Sequence, residues 1–283
     1  MDEFGKLYVV PTPIGNLKDM TLRAIEVLES VDIIAAEDTR QSLKLLNHFN
    51  IKKPLISYHK FNEQNKSESI IKLLKEGKNV AIISDAGTPG VSDPGSVIIA
   101  KCLEEEIEFI VLPGATAVIT ALVYSGMDTT KFIFRGFFPR ETKERKKIVD
   151  EICDREETII FYEAPHRLLD ALSFLLNSIG DRSLAVCREL TKIHEEIFRG
   201  TFNDAIKHFN NKQIKGEIVL VIEGKSEIAI MEEKRLKWEN ISIREHIINY
   251  MSQGKSKKES IKLVSLERGL PKSEVYKNSL DIE

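Results

Sequence analysis

Short runs of apolar, mostly β-branched residues recur through the first 125 residues, and helical patterns separate most of them. The five runs are Leu7–Val10, Ile33–Ala36, Leu55–Tyr58, Val80–Ile83 and Phe109–Leu112. The helical patterns cover Thr21–Ser30, Ser42–Phe49, Glu63–Glu76, Ser96–Glu105 and Thr116–Tyr124. Strands that are apolar throughout and alternate with helices predict a parallel sheet covered on both faces. Sheets of this kind bind ligands beyond the carboxyl ends of their strands.

The pattern changes after Gly126. The later apolar runs lie closer together and have fewer helical patterns between them: Phe132–Gly136, Thr158–Tyr162, Leu184–Arg188, Glu196–Gly200 and Glu217–Ile222. This spacing favours a mixed, partly antiparallel sheet. The β signal stops after Lys225, and the rest of the chain has a polar, helical pattern. We therefore predict two α/β domains, residues 1–125 and 126–225, followed by a helical C-terminal segment, residues 226–283.

Charge and cysteine content exclude several classes of protein. The 283 residues carry a net charge of −3, so any nucleic-acid site must be a local basic patch. The three cysteines, Cys102, Cys153 and Cys187, form no CxxC pair, which argues against a disulfide framework and against a zinc site. No apolar run reaches the ~18 residues that a membrane span needs, and no signal-peptide pattern is present. We expect a soluble, cytoplasmic protein with reduced thiols, no metal and no membrane partner.

Three turns rich in glycine and proline follow strands of the first predicted sheet. They are Pro11–Asn16, Ile83–Gly95 (ISDAGTPGVSDPG) and Pro113–Ala117. An ordinary strand–helix connection explains any one of them, but three turns at one edge of a parallel sheet favour a ligand that lies against bare backbone. The chain has neither a GxxxxGK[ST] motif nor a GxGxxG motif after the first strand, so neither phosphate-binding loop is predicted. Asp93 and Pro94 also fit a helix N-cap followed by proline at the first helical position.

Polar residues follow two other strands of the same sheet, namely Glu37-Asp38-Thr39-Arg40 and Tyr58-His59-Lys60. At the carboxyl edge of a sheet, such groups could orient a substrate or move a proton. The alternative for Glu37–Thr39 is the start of a helix, where the helix dipole favours acidic residues.

Two further segments have the composition of RNA-binding surfaces. Arg135 and Arg140 flank Gly136-Phe137-Phe138-Pro139, and arginines beside exposed aromatic rings suit phosphate contact and base stacking. Equally, the phenylalanines could be core residues and the arginines solvated. Residues 254–277 contain seven Lys or Arg against three Glu, which fits either an RNA contact or a solvated helical appendage.

Several long motifs, in order along the chain, resemble the tetrapyrrole methylase superfamily of S-adenosylmethionine-dependent methyltransferases. They are LYVVPTPIGNLKDMTLRA, AAEDTR, ISDAGTPGVSDPG, LPGATAVITAL, FYEAPHRL and CRELTKIHEEIFRG. Within the superfamily the chain most resembles the ribosomal small-subunit methyltransferase I group. That group methylates the ribose 2′-hydroxyl of a cytidine in the decoding region of small-subunit rRNA. The resemblance runs from residue 7 to residue 224, and the tail is also similar to members of the group.

The resemblance implies S-adenosyl-L-methionine bound in a cleft between two α/β domains, usually in a homodimer. The cofactor-binding residues it implies are Pro11, Pro13, Asp85, Gly87, Thr88, Val91, Thr116, Ala117 and Tyr162. The wider superfamily commonly has Gly-Asp-Pro where this chain has Gly87-Thr88-Pro89, so a carboxylate is missing from its usual place. We hypothesise that Asp85 compensates for it.

The implied reaction transfers a methyl group from a sulfonium to a ribose oxygen of small-subunit rRNA, either free or in the assembled 30S subunit. A sulfonium is already electrophilic, so no metal is required, and the protein must align the reacting atoms. A ribose hydroxyl reacts poorly until it loses its proton; we expect Glu37 or Asp38 as general base, with His59 as second choice. The candidates for phosphate contact are Arg23, Arg40, Arg135 and Arg140.

Two other functions are compatible with the sequence. One is methylation of a small tetrapyrrole, which would favour a deep apolar cleft and leave the basic tail without a purpose. The other is non-enzymatic RNA binding on the same fold, which would show no dependence on a cofactor. The AEDTR and ELTKIHEE runs favour the RNA-methylating group.

Overall fold

A computed structural model describes residues 4–226 and 241–282. The chain divides into two compact units. The first contains residues 1–149 and 158–223, and the second contains residues 150–157 and 224–283. Both sheets lie in the first unit. The domain boundaries predicted at residues 126 and 226 stay predictions.

The first sheet is parallel throughout, as predicted. Its strands are β1 (Leu7–Val9), β2 (Ile33–Ala36), β3 (Leu55–Ser57), β4 (Val80–Ile83) and β5 (Phe109–Val111), in the order β3-β2-β4-β1-β5. The helices α1 (Leu22–Ser30), α2 (Thr39–His48), α3 (Glu63–Lys75) and α4 (Ser96–Glu104) follow β1, β2, β3 and β4 in turn. α2 begins three residues earlier than the sequence pattern indicated, because Asp38 caps it by accepting a hydrogen bond from the Arg40 amide.

The apolar runs of this sheet are continuous because both faces are buried. Within β4, Val80 and Ile82 pack into a core shared with α3 and α4, whereas Ala81 and Ile83 pack into a core shared with α1 and α2. Successive side chains of a strand point to opposite faces, so a strand buried on both sides needs an apolar residue at every position.

The second sheet is mixed, also as predicted. Its strands are β6 (Phe132–Phe137), β7 (Thr158–Glu163), β8 (Ser183–Arg188), β9 (Glu196–Thr201) and β10 (Ile218–Ile222), in the order β6-β7-β10-β8-β9. Only β6 and β7 pair in parallel; the other three pairings are antiparallel. Three helices complete this part of the chain: α6 (Thr142–Ile152), α7 (Leu168–Ile179) and α8 (Phe202–Phe209).

The helix α5 (Ala117–Ser125) connects the two sheets. It leaves β5 of the first sheet but packs its buried face, including Ala121 and Leu122, against strands of the second sheet. Cys187 of β8 is buried in the same cluster, so it is a small core residue. The helix that follows the first sheet therefore packs into the core of the second.

The second unit has a small core of its own. Its helices α9 (Ile243–Ser252), α10 (Lys257–Arg268) and α11 (Lys272–Lys277) pack around Ile247, Val264, Val275 and Ile282. Ser242 and Ser256 each form a capping box with a glutamate three residues later, which fixes where α9 and α10 begin. The part of the predicted helical tail at residues 227–240 lies outside the described residues. No helix in residues 4–226 and 241–282 is long and apolar enough to cross a bilayer.

Candidate active site

The three glycine- and proline-rich turns meet at the carboxyl edge of the first sheet. The Thr12 amide donates to the Gly87 carbonyl at 2.8 Å, and the Gly87 amide donates back to the Thr12 carbonyl at 3.0 Å. The Thr88 hydroxyl donates to the Ala115 carbonyl at 3.2 Å, which joins the second turn to the third. β1 lies between β4 and β5 in the sheet, so the turns after these three strands emerge side by side.

The backbone of residues 83–95 is closely constrained. Gly87 has φ +83°, a conformation that costs residues with a side chain about 1–2 kcal/mol. Gly95 lies against Gly90: a β-carbon at Gly95 would be 2.9 Å from the Gly90 nitrogen. The Gly90 amide donates to the Pro94 carbonyl at 3.2 Å and closes the loop.

This closure delays the start of α4. The helix begins at Ser96 with Gly95 at the N-cap position, so the prediction that Asp93 caps the helix ahead of Pro94 is wrong. Pro94 is buried in the closed loop, and Asp93 lines a cavity instead.

That cavity, of about 390 Å³, lies in the cleft between the two sheets. Its volume falls in the range of small-molecule sites. The first sheet and α5 contribute Ile14, Glu37, Asp85, Ala86, Gly87, Thr88, Val91, Asp93, Thr116 and Ala117. The second sheet and its loops contribute Phe137, Tyr162, Glu163, Ala164, Pro165, Gly216, Glu217, Ile218 and Val219.

Most residues that the resemblance assigns to the cofactor line this cavity. Seven of the nine do so: Asp85, Gly87, Thr88, Val91, Thr116, Ala117 and Tyr162. Pro11 and Pro13 are buried and do not line it. Pro11 instead packs against Gly114, where a β-carbon would come within 2.5 Å of the Pro11 side chain. Pro11 therefore contacts the third turn and does not face the cavity.

Five acidic residues line the cavity: Glu37, Asp85, Asp93, Glu163 and Glu217, and Glu163 among them forms an ion pair with Arg167. Burial, and then the charges of Glu37, Asp85 and Glu217, raise the pKa of Asp93 to about 7. Burial, followed by the charge of Asp85, also raises the pKa of Glu37. Crowded carboxylates of this kind favour a cationic ligand, which would relieve their repulsion, and disfavour a phosphorylated one.

Only one of the three predicted catalytic residues lines the cavity, and it is Glu37. The Asp38 carboxylate accepts from the Arg40 side chain at 2.9 Å, and this bond is the main reason that its pKa falls to about 2. The His59 ring does not line the cavity, and its Nε2 lies 3.3 Å from the Asn62 side-chain amide. The catalytic assignments of Asp38 and His59 stay predictions.

The arginines predicted to contact phosphate all lie outside the cavity. Arg23 of α1, Arg40 of α2, Arg135 of β6 and Arg140 before α6 are exposed. Their contact with RNA phosphate stays a prediction.

Sequence reasoning missed several cavity residues, chiefly Asp93, and it left Phe137 undecided between core and surface. Asp93 was misread because Asp-Pro is also a helix-start signal. No group of histidine, cysteine or acidic residues in the described part of the chain is arranged to hold a metal ion.

Comparison with known proteins shows the family to which the chain belongs. The family described as Tetrapyrrole (Corrin/Porphyrin) Methylases matches residues 6–206. A Bacillus subtilis (strain 168) protein named ribosomal RNA small subunit methyltransferase I is 49% identical over 274 residues, covering 97% of this chain and 94% of that protein. A protein of the same name from Synechocystis sp. (strain ATCC 27184 / PCC 6803 / Kazusa) is 45% identical, covering 99% of each.

A third relative is shorter. The Thermotoga maritima protein of the same name is 48% identical over 221 residues, which cover 78% of this chain and 99% of that protein. Nearly all of that protein is thus matched, although the match covers only 78% of this chain.

Solved structures share the fold at low sequence identity. A diphthine synthase gives a TM-score of 0.65 at 14% identity, covering 78% of this chain and 91% of that one. A uroporphyrin-III-C-methyltransferase from Thermus thermophilus gives a TM-score of 0.58 at 21% identity, covering 77% and 94%.

Proposed function

The chain belongs to the tetrapyrrole methylase family, and from that premise we propose that it methylates the ribose 2′-hydroxyl of a cytidine in the decoding region of small-subunit rRNA, with S-adenosyl-L-methionine as methyl donor. The relatives named ribosomal RNA small subunit methyltransferase I support the choice of substrate, because their similarity extends over nearly the whole chain. Such a reaction belongs in the cytoplasm, with the ribosomal subunits.

The observation that carries the proposal is the cavity at the meeting point of the three turns. Its carboxylates suit a ligand with ammonium and sulfonium charges, and its apolar side, which includes Ile14 and Val219, suits an adenosyl group. Bare backbone at Gly87 and the Thr88 side chain lie where polar groups of the cofactor could contact them. The residues present therefore fit S-adenosylmethionine.

When bound, S-adenosylmethionine supplies a methyl group made electrophilic by its positively charged sulfur. The protein's own task is to hold the acceptor oxygen in line with that methyl group and to take the hydroxyl proton. Alignment of this kind can supply much of the rate. Thr116 and Ala117 at the start of α5, together with Tyr162 of β7, fix the two walls of the cleft.

A general base works best when its pKa lies near the working pH. Asp93, with a pKa of about 7, meets this requirement, and Glu37 has a pKa raised in the same direction. Asp38 is held ionised by Arg40 and meets it less well. We therefore assign the role of general base to Asp93 or Glu37, with Asp38 and His59 as the further predicted candidates.

The homodimer implied by the resemblance is also a proposal. An exposed apolar strip on α5 supports it: Ile119, Val123 and Tyr124 are 44%, 68% and 41% exposed. Light scattering coupled to size-exclusion chromatography gives the mass in solution, and a monomer at micromolar concentration would contradict the proposal.

Two measurements test the function. Calorimetric titration with S-adenosylmethionine should show one site per chain, whereas ATP, being a polyanion, should not bind to the same cavity. Labelled S-adenosylmethionine is then offered with 30S subunits, 50S subunits or uroporphyrinogen III. We expect label in 30S subunits alone. Label in uroporphyrinogen would support tetrapyrrole methylation instead, and binding of RNA without transfer would support a non-enzymatic role.

A further inference from the structure

Phe137 occupies an unusual position for a large aromatic residue of a strand. Its side chain is 58% exposed and lines the cleft, whereas the next residue, Phe138, is 1% exposed and packs against Phe161. Of the two phenylalanines in this segment, Phe138 is therefore a core residue and Phe137 a surface residue.

A β-bulge explains how Phe137 reaches the cleft. Phe134 pairs with Ile160 and Phe137 pairs with Tyr162, so three steps along β6 match two steps along β7. Without the extra residue, Phe134 and Phe137 would point to opposite faces of the sheet. Both rings instead meet Tyr162, at 5.0 and 5.4 Å. Gly136, at φ +67°, accommodates the bulge, and bulges often re-aim a side chain beside an active site.

The surface beside Phe137 is the reverse of the cleft in charge. Residues 135–147 contain six Lys or Arg against two Glu, in a chain whose net charge is −3. Arg145 is buried, donates to the Pro139 carbonyl at 2.9 Å and pairs with Asp170. It anchors the start of α6, whose Lys143, Lys146 and Lys147 are exposed. Exposed cations at a helix surface suit the phosphate backbone of a nucleic acid.

The acidic cavity and the basic surface of α6 favour different parts of a nucleotide, namely the nucleoside and the phosphate. The carboxylates of the cavity repel phosphate, so an RNA backbone is expected to stay outside, along α6, and only a nucleoside can enter. A target base must then leave its stack, and it needs a new apolar surface to replace the stacking it loses. Phe137 lines the cavity and precedes α6 by five residues, and its ring carries no hydrogen-bonding group.

We propose that Phe137 is a positioning residue on which the nucleobase of the methylated nucleotide stacks, so that its ribose 2′-hydroxyl faces the cleft. The proposal rests on the proposed function. The same ring could instead stack on the adenine of the cofactor, and the test separates these two sources of a base.

The test compares Phe137→Ala and Phe137→Trp with Phe132→Ala. Phe132 is in the same strand and 40% exposed, and it does not line the cavity, so it is a matched control. For each protein, calorimetry gives the Kd for S-adenosylhomocysteine, and initial rates give kcat and KM for 30S subunits. Thermal unfolding confirms that each variant is folded.

We expect Phe137→Ala to raise KM for 30S subunits about tenfold, because one base–aromatic stack is lost. Its Kd for S-adenosylhomocysteine should stay within about twofold of wild type. Phe137→Trp should restore KM, since any aromatic face can stack, and Phe132→Ala should behave as wild type. A purely structural role would not be rescued by the larger ring.

Two results would overturn the stacking role. One is an unchanged KM in folded Phe137→Ala. The other is a rise in the Kd for S-adenosylhomocysteine that equals the rise in KM, which would assign the ring to the cofactor's adenine. If wild-type protein binds cofactor but transfers no methyl group to 30S subunits, the proposed function itself fails. Transfer by wild type with an unaffected Phe137→Ala variant removes only the stacking role.

Discussion

Thr12 and Gly87 exchange two backbone hydrogen bonds, of 2.8 and 3.0 Å, across the carboxyl edge of the first sheet. The two residues are 75 positions apart, and their bridge joins the turn after β1 to the turn after β4. Because the bridge is made by backbone groups, its geometry depends on the backbone angles of Gly87 more than on any side chain. Gly87 also lines the cavity, so a change in these angles alters part of the cavity wall.

Gly87→Ala should weaken cofactor binding because it strains the residue that closes the bridge. Alanine at φ +83° costs about 1–2 kcal/mol of folding free energy, while a β-carbon there meets Ile14 at an ordinary 3.5 Å. Gly126→Ala is the matched control, since Gly126 has φ +73° with open space around it, ends α5 and does not line the cavity. Both variants should lose similar stability in urea titrations, but only Gly87→Ala should raise the Kd for S-adenosylhomocysteine. Equal Kd values in the two variants would contradict a role for the bridge in binding.

Asp93→Asn should remove most of the activity, and it should also weaken cofactor binding above pH 7, because one of the carboxylates that line the cavity is lost. Loss of a general base lowers turnover by roughly 100-fold or more. In wild type, kcat/KM should rise with pH and level off above about 7, where the Asp93 carboxyl is ionised in the free protein. The profile of kcat should level off at lower pH, because a bound sulfonium favours the carboxylate.

Glu37→Gln is the competing variant for this assignment. If it abolishes turnover and the pH dependence while Asp93→Asn retains both, the proton goes to Glu37. Turnover is compared at saturating cofactor, with each Kd taken from calorimetry, so that weaker cofactor binding is not mistaken for loss of the base.

Asp93→Asn should also change how stability depends on pH. The pKa of Asp93 is raised from 3.8 to about 7 on folding, so the folded state binds the proton more tightly than the unfolded chain. Its contribution to stability is fully present below about pH 4 and is lost as pH rises to about 7. Since Asp93 is only partly buried, the effect should be on the order of 1–2 kcal/mol.

Asparagine carries no charge, so the free energy of unfolding of Asp93→Asn should not fall in this way as pH rises. The variant should therefore be more stable than wild type above pH 7. Urea unfolding of both proteins at pH 5 and pH 8 measures the difference. A wild-type protein that gains stability relative to Asp93→Asn between pH 5 and pH 8 would show that the carboxylate is stabilised in the folded state.

Reversing charge on α6 should weaken RNA binding without affecting the cofactor. Lys143→Glu with Lys147→Glu should raise KM for 30S subunits several-fold at low salt and reduce the salt dependence of KM. The control is Lys52→Glu with Lys78→Glu. These exposed lysines precede β3 and β4 at the opposite, amino edge of the first sheet. Similar effects in the two double variants would mean that net charge, and not the α6 surface, governs binding.

The sequence predicts the trio of turns well because parallel strands bring their carboxyl ends to one edge whatever the details of packing. It predicts the neighbours of those strands less well. Glu37 and Asp38 are adjacent and chemically alike, and only the capping bond to the Arg40 amide separates one that lines the cavity from one that starts α2.

Two other features depend on contacts that no local pattern records. The raised pKa of Asp93 arises from burial and from the charges of Glu37, Asp85 and Glu217, which are distant in sequence. The orientation of Phe137 arises from a shift of register against β7, and a single glycine in an apolar run does not specify such a shift.

The most direct test of the proposed reaction uses the chemistry of its product. A 2′-O-methyl group blocks alkaline cleavage of RNA, because the neighbouring phosphate can no longer be attacked by the 2′-oxygen. 30S subunits are incubated with the protein and methyl-labelled S-adenosylmethionine, and the extracted rRNA is hydrolysed in alkali. We predict that the label appears in one alkali-resistant dinucleotide that begins with cytidine. Label released as a mononucleotide would mean that a base is methylated, and that result would contradict the account.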